Sequence, residues 1–163
     1  MPNINIQLEY FATELGARLQ RHGYHLVIAE SCTGGWVAES VTAIPGSSHW
    51  FDRAFIAYSD IAKQEMLKVN PETLARYGSV SEQTALEMLK GALAHSRAQV
   101  GVAITGIAGP TGGSTQKPVG TVWIAYAFPN NMYAQRNFFS GDRRGIRHQA
   151  AATALQRLVQ GLD

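Results

Sequence analysis

The order in which hydrophobic periods follow one another constrains this chain most. Ile4, Leu8, Phe11, Leu15 and Leu19 step by three and four residues, which places them on one face of a helix that Gly23 ends. Tyr24 to Ala29 has no helical period and reads as a buried strand. Trp36 to Ala43 reads as a helix, Phe55 to Tyr58 as a short strand, and Ile61 to Val69 as a helix with Ser59 or Asp60 to cap it. Asn70-Pro71 opens a further helix, since asparagine suits the N-cap and proline the first turn, and Gly78 stops it. Ser79-Val80-Ser81-Glu82 has the spacing of a capping box, and the helix behind it reaches Ser96 with Ala85, Leu89, Ala92 and Leu93 on one face. Val100 to Ile104 is a second buried strand. Val119 to Phe128, a turn at Pro129-Asn130-Asn131 and Met132 to Phe139 predict a hairpin. Asp142 caps a last helix with Ile146, Ala150, Ala154 and Leu158 inward. Helices alternate with strands early and a hairpin comes late. That order predicts an α/β fold, a three-layer α/β/α sandwich with a mixed sheet, as one domain over residues 1–163.

Composition narrows the class of partner. A chain of 163 residues, 45% hydrophobic and 16% charged, has enough apolar surface for a core and is not a disordered composition. The net charge is only +2, and its lysines and arginines are scattered apart from Arg143, Arg144 and Arg147, so a nucleic-acid partner is not expected. No apolar run reaches membrane-spanning length, and Met1 to Tyr10 lacks the basic-then-apolar order of a signal peptide. Cys32 is the lone cysteine, which rules out an internal disulfide; a cytoplasmic protein is expected. No His, Cys, Asp or Glu group has metal-ligand spacing, so neither a metal nor another cofactor is expected.

Six of the 16 glycines fall between Gly101 and Gly120. The loop Thr105-Gly106-Ile107-Ala108-Gly109-Pro110 and onward to Pro118 follows a buried strand, where α/β proteins place ligands, and its glycines let backbone approach a ligand closely. It lacks the Gly-Lys-Ser/Thr ending of a phosphate loop, and Pro110 breaks the dinucleotide spacing. A long connection of this kind is either functional or simply flexible. Ser31 stands where a strand meets a helix, followed by Thr33, Gly34 and Gly35, which leave the backbone unobstructed. A serine there can attack a carbonyl while nearby amides receive the oxyanion, or Ser31 or Thr33 can merely cap the helix. None of His22, His25, His49, His95 and His148 is well placed as its base. A lysine kept neutral by burial is the other option; Lys63 lies at a helix start, where the helix dipole also disfavours its charge. Tyr58, at the end of the preceding strand, can orient or relay the proton. The bland alternative is a solvated lysine and a core tyrosine. Cys32 has no cationic neighbour in sequence to lower its pKa and reads as packing. Arg143 and Arg147 are four apart at a helix start; they suit a phosphate, or form a solvated basic patch.

Several ordered blocks carry a resemblance over nearly the whole chain. They are Ala29-Glu30-Ser31-Cys32-Thr33-Gly34-Gly35, Pro45-Gly46-Ser47-Ser48 with Trp50-Phe51, Tyr58-Ser59 with Lys63, and Tyr77 to Glu82. They continue with Thr105 to Pro110, Gly112-Gly113, Lys117 to Val122, Phe139 to Arg143 and Arg147. The sequence resembles the CinA C-terminal-domain family. The resemblance implies hydrolysis of the carboxamide of nicotinamide mononucleotide to nicotinic acid mononucleotide and ammonia. It implies a Ser/Tyr/Lys catalytic set that maps onto Ser31, Tyr58 and Lys63. Substrate contacts are then expected from Thr33, Gly34, Thr105, Gly106, Ala108, Gly109, Arg143 and Arg147, with the division between oxyanion and phosphate donors open. The family also suggests a homo-oligomer, a dimer or a multiple of one. Asp60 stands where the resemblance leads one to expect Asn. Many relatives carry a preceding nucleotide-processing domain for which this chain has no room, so that domain's activity is not expected. A binding relative without turnover, an amidase for another amide and a structural partner in an assembly are the remaining alternatives.

Overall fold

The computed structural model describes residues 4–163. The Ile4 side chain enlisted by the first helical period, and residues 1–3, lie outside the described residues. In chain order the elements are α1 (Ile4–His22), β1 (Leu26–Glu30), α2 (Trp36–Thr42), β2 (Phe51–Ile56), α3 (Asp60–Leu67), α4 (Pro71–Tyr77) and α5 (Glu82–Ala94). Then come β3 (Val100–Gly106), β4 (Thr121–Phe128), β5 (Asn131–Phe138) and α6 (Arg143–Gly161). The strands form one mixed sheet of order β2-β1-β3-β4-β5. The first three neighbours are parallel and the last two pairings antiparallel.

Each face of the sheet is buried by its own helices, as the alternation of periods requires. α1, α2 and α6 cover one face through Leu8, Leu15, Leu19, Val37, Val41, Ile146, Ala150, Leu155 and Leu158. α5, flanked by α3 and α4, covers the other through Ala85, Met88, Leu89 and Ala92. β1 is buried at every position because both layers press on it. The three-layer α/β/α expectation therefore holds. The helix caps follow the sequence too. Ser59 accepts from the Ala62 amide, Asn70 from Glu72 and Asp142 from Gly145.

Several strand and helix ends shift by one or two residues from the sequence reading, and two differences go further. β2 begins at Phe51 rather than Phe55 and ends at Ile56, because it pairs in parallel with β1 from Leu26↔Phe51 onward, with an irregularity that skips Asp52. The charged pair Asp52-Arg53 hides this half of an edge strand. The capping-box spacing is also misleading. Ser81, not Ser79, is the N-cap of α5 and accepts from the Thr84 amide, whereas the Ser79 hydroxyl donates to Asp60.

α5 approaches α3 closely at Gly91, where an added Cβ would sit 1.9 Å from the carbonyl oxygen of Leu67. Backbone cannot yield as a side-chain tip does. Gly91→Ala is expected to lower unfolding free energy by about 3 kcal/mol, the upper end of ordinary overpacking; urea denaturation monitored by circular dichroism measures it.

Candidate active site

The chain leaves β1, crosses through α2 to β2 on one side, then returns over the other face through α3, α4 and α5 to β3 on the far side of β1. Such a switch point opens a crevice beyond the carboxyl ends of the strands. Residues at or just past the carboxyl ends of β1, β2 and β3 line it. They include Ser31 and Cys32, Tyr58, Asp60 and Lys63, and Thr105, Gly106 and Ala108, joined by Ser79, Val80 and Arg143. The cleft has a volume of about 220 Å³.

Ser31 and Lys63 meet at its floor. The Lys63 Nζ donates to the Ser31 Oγ at 3.1 Å and to the Tyr58 carbonyl at 3.3 Å. The Ser31 hydroxyl reaches the same carbonyl at 3.5 Å. Lys63 is only 2% exposed, so it is not a solvated lysine. It forms no ion pair among the described residues. Burial holds its pKa below the ordinary lysine value, with the charge of Asp60 opposing that shift. The Cys32 thiol beside the serine is pushed up to about 12, chiefly by burial and then by the charge of Glu30, so it remains a packed thiol.

Tyr58 enters by its backbone. β2 has ended two residues earlier, and the side chain is 60% exposed, not part of the core. Its phenol oxygen accepts a hydrogen bond from Arg143 at 3.0 Å, and Arg143 also donates to the Gly109 carbonyl at 2.7 Å. Arg143 thus bridges the loops after β2 and β3 at the mouth of the cleft. On the floor side the Thr105 hydroxyl donates to the Ser79 carbonyl at 2.7 Å, tying the end of β3 to the turn before α5.

Glu30 is fully buried, and both its carboxylate oxygens accept from the start of α2, from the Val37 and Ala38 amides at 3.0 Å each. The first amides of that helix are therefore satisfied from within and are not free for an external anion. Arg147 donates to the Cys32 and Thr33 carbonyls at 3.0 and 3.2 Å and lies over the Trp36 ring, 5.5 Å from its centroid. It stands behind the Ser31 loop rather than in the cleft, as do Thr33 and Gly34.

The chain matches the model of the family described as CinA C-terminal domain over residues 8–162. It belongs to that family. It is 50% identical over 155 residues, 94% of both chains, to the Escherichia coli K12 protein named nicotinamide-nucleotide amidohydrolase PncC. It is 43% identical to the Pseudomonas putida protein of the same name, covering 91% of this chain and 93% of that one. Among solved structures it is similar to the competence/damage inducible protein CihA from Agrobacterium tumefaciens, with a TM-score of 0.91, 44% identity and 94% of each chain covered.

Within this CinA domain, then, the cleft gathers Ser31, Tyr58, Lys63, Thr105, Gly106, Ala108 and Arg143 from the residues the sequence singled out. Gly109 contributes its carbonyl to Arg143 rather than a place in the lining. No histidine lines it: His95 bonds the Gly91 carbonyl, His22 the Leu162 carbonyl, and His148 packs on Trp36. Among the described residues no group of three His, Cys, Asp or Glu side chains is placed to hold a metal ion, and no helix is long and apolar enough to cross a membrane. Sequence reasoning missed Glu30 and Ser79. A signal for Glu30 was present, since the residue at the N-cap of α2 is Gly35, which has no capping side chain, and some other acceptor must satisfy the first amides.

Proposed function

We propose that this CinA domain is an amidohydrolase that converts nicotinamide mononucleotide to nicotinic acid mononucleotide and ammonia, with Ser31 as nucleophile and Lys63 as base, in pyridine nucleotide salvage. The observation that carries the reading is the 3.1 Å contact between Ser31 Oγ and a buried Lys63 Nζ that no carboxylate neutralises. The 50% identical relative named as a nicotinamide-nucleotide amidohydrolase supplies the substrate class.

Neutral Lys63 takes the Ser31 proton as the oxygen attacks the carboxamide carbon. The Tyr58 carbonyl holds Nζ in line and is itself too poor a base to compete. The developing oxyanion is received by main-chain amides. Those of Cys32 and Ala108, which donate to no backbone carbonyl among the described residues, are the candidates from the two facing loops. The tetrahedral intermediate collapses, protonated Lys63 returns its proton to the leaving nitrogen, and ammonia departs. Water, deprotonated by the same lysine, then cleaves the nicotinyl ester of Ser31 and restores the hydroxyl.

A cleft of about 220 Å³ is below the roughly 300–1,000 Å³ of sites that engulf a whole ligand. It accommodates the pyridine ring, and the ribose phosphate extends past its mouth, where Arg143 stands. Arg143 supplies the phosphate contact, and Arg147, Thr33 and Gly34 act from behind as the support of the nucleophile loop. Arg143→Ala is therefore expected to raise KM for the mononucleotide on the order of tenfold or more, one lost charge-assisted contact, and to change KM for the phosphate-free riboside much less. Arg147→Ala is expected to lower kcat for both. The same kinetic constants for both substrates decide this.

The deciding experiment for the function is ammonia release from nicotinamide mononucleotide, nicotinamide and the riboside. Release from the mononucleotide supports the reading; binding without release, or release from an unrelated amide only, overturns it. The whole described chain acts as one catalytic unit with no cofactor. The lone reduced Cys32 favours the cytoplasm, and a homo-oligomer is the expected assembly.

A further inference from the structure

The reaction proposed above turns a neutral amide into a carboxylate, so the cleft must hold the first and discharge the second. The lining contains one acid, Asp60, the first residue of α3. One of its carboxylate oxygens accepts from the Ser79 hydroxyl, which comes from the turn before α5. That turn is itself anchored, since the Ser79 carbonyl accepts from the buried Thr105 hydroxyl. The side chain is thus latched across the cleft rather than left free on the helix. Asp60 forms no ion pair among the described residues. On the floor, the Tyr58 carbonyl is already engaged by Lys63 and Ser31. The second oxygen of Asp60 accepts no hydrogen bond among the described residues and is open to a ligand.

We infer that Asp60 is a specificity-determining residue that accepts a hydrogen bond from the carboxamide nitrogen of the substrate and repels the carboxylate of the product. The inference rests on the amidohydrolase reading. An amide N–H₂ brings two donors, and a latched carboxylate is acceptor-only, so it selects the amide face over the acid. After hydrolysis two negative groups share the cleft, and their repulsion weakens product binding. The positive pyridinium is common to substrate and product, so its attraction to Asp60 cancels in the comparison. Asp60 also sits one helical turn from Lys63, and its charge favours the protonated lysine that returns its proton to the leaving nitrogen. The other groups around Lys63 are neutral Ser31 and Cys32 behind β1, the exposed Tyr58 phenol, Thr105 and Ala108 behind β3, and Ser79 before α5. Arg143 from α6 is the second charge at the cleft.

The test is Asp60→Asn, which is isosteric and can still accept from Ser79. Binding of nicotinic acid mononucleotide is titrated directly by calorimetry for the native protein and the variant, and kcat and KM are taken as a function of pH. The variant presents an N–H₂ donor where the native chain presents a carboxylate. Product affinity is expected to rise at least tenfold, KM for the substrate to rise rather than fall, and the acidic limb of kcat/KM to move to lower pH as Lys63 loses a neighbouring anion. Asp60→Ser, which removes the charge and keeps a hydroxyl, should also tighten product binding if the Asn variant folds poorly. Product affinity unchanged in both variants overturns the inference. A native enzyme that releases no ammonia overturns the amidohydrolase reading instead, and the direct titration still reads the effect of Asp60 on the acid.

Discussion

Replacing Ser31 by alanine is expected to cut turnover of nicotinamide mononucleotide by on the order of 10³-fold or more, while substrate affinity stays near native. In the proposed mechanism the loss falls on kcat, because the serine oxygen forms the bond made in the transition state while ring and phosphate are assigned to the cleft walls and Arg143. The substitution is conservative in structure. Ser31 is 7% exposed, its amide still donates to the Ile104 carbonyl, and the Lys63 Nζ keeps the Tyr58 carbonyl as acceptor. Steady-state kinetics and calorimetric titration of the same preparation separate the two effects. Turnover within a few-fold of native would move the nucleophile elsewhere.

Lys63 carries the second large effect, and pH exposes it. Lysine acts as a base only when neutral, and its ordinary pKa is about 10.4. Burial lowers that value in the folded chain, so kcat/KM is expected to rise with pH through the depressed pKa and level off below the ordinary lysine range. Lys63→Arg keeps the charge and cannot give up a proton; turnover is expected to fall by on the order of 10³-fold, with the acidic limb abolished. Stability gives an independent reading of the same group. A lysine whose folded pKa lies below its unfolded pKa binds its proton more weakly in the folded state. Folding is therefore penalised at every pH below the folded pKa, and the penalty fades as pH climbs from the folded pKa to the unfolded one. Compared with Lys63→Met, which cannot titrate, native stability should gain across that alkaline window. Urea midpoints of the two proteins at stepped pH measure the gap, and a gap constant with pH would contradict a depressed Lys63.

What could be read from the sequence divides along a physical line. Side-chain identity and period are written in the sequence. The helical faces of α1, α5 and α6, the caps Ser59, Asn70 and Asp142, and the placing of Ser31 and Lys63 at element boundaries could all be derived from it. Backbone roles are not written there. The Tyr58 carbonyl that aligns Lys63 would look the same in any residue, so attention went to the phenol, which turns outward to Arg143. The Arg143 and Arg147 pair shows a related limit. Spacing of four does put them on one side of α6, but each guanidinium ends a long flexible stem. One reaches forward to the Gly109 carbonyl and the other back to the Cys32 carbonyl, so a shared face does not become a shared ligand. β2 was shortened in the reading because Asp52 and Arg53 break the apolar run of an edge strand, which only the pairing with β1 restores.

The strand order has a consequence for the newly made chain. Ser31 lies past the end of β1, and Lys63 and Tyr58 lie past the end of β2. The Ser31 amide is pinned to the carbonyl of Ile104, which belongs to the last pair of the β1–β3 ladder. The Ser31–Lys63 contact therefore exists only after three parallel strands, separated in sequence by crossovers, have found one another, and such long-range pairings form slowly. Until then Lys63 is hydrated and charged, and Ser31 is an ordinary hydroxyl. In the mechanism proposed above, chemical competence would arrive with the last parallel pairing, and a half-assembled polypeptide would be inert toward amides, its own included.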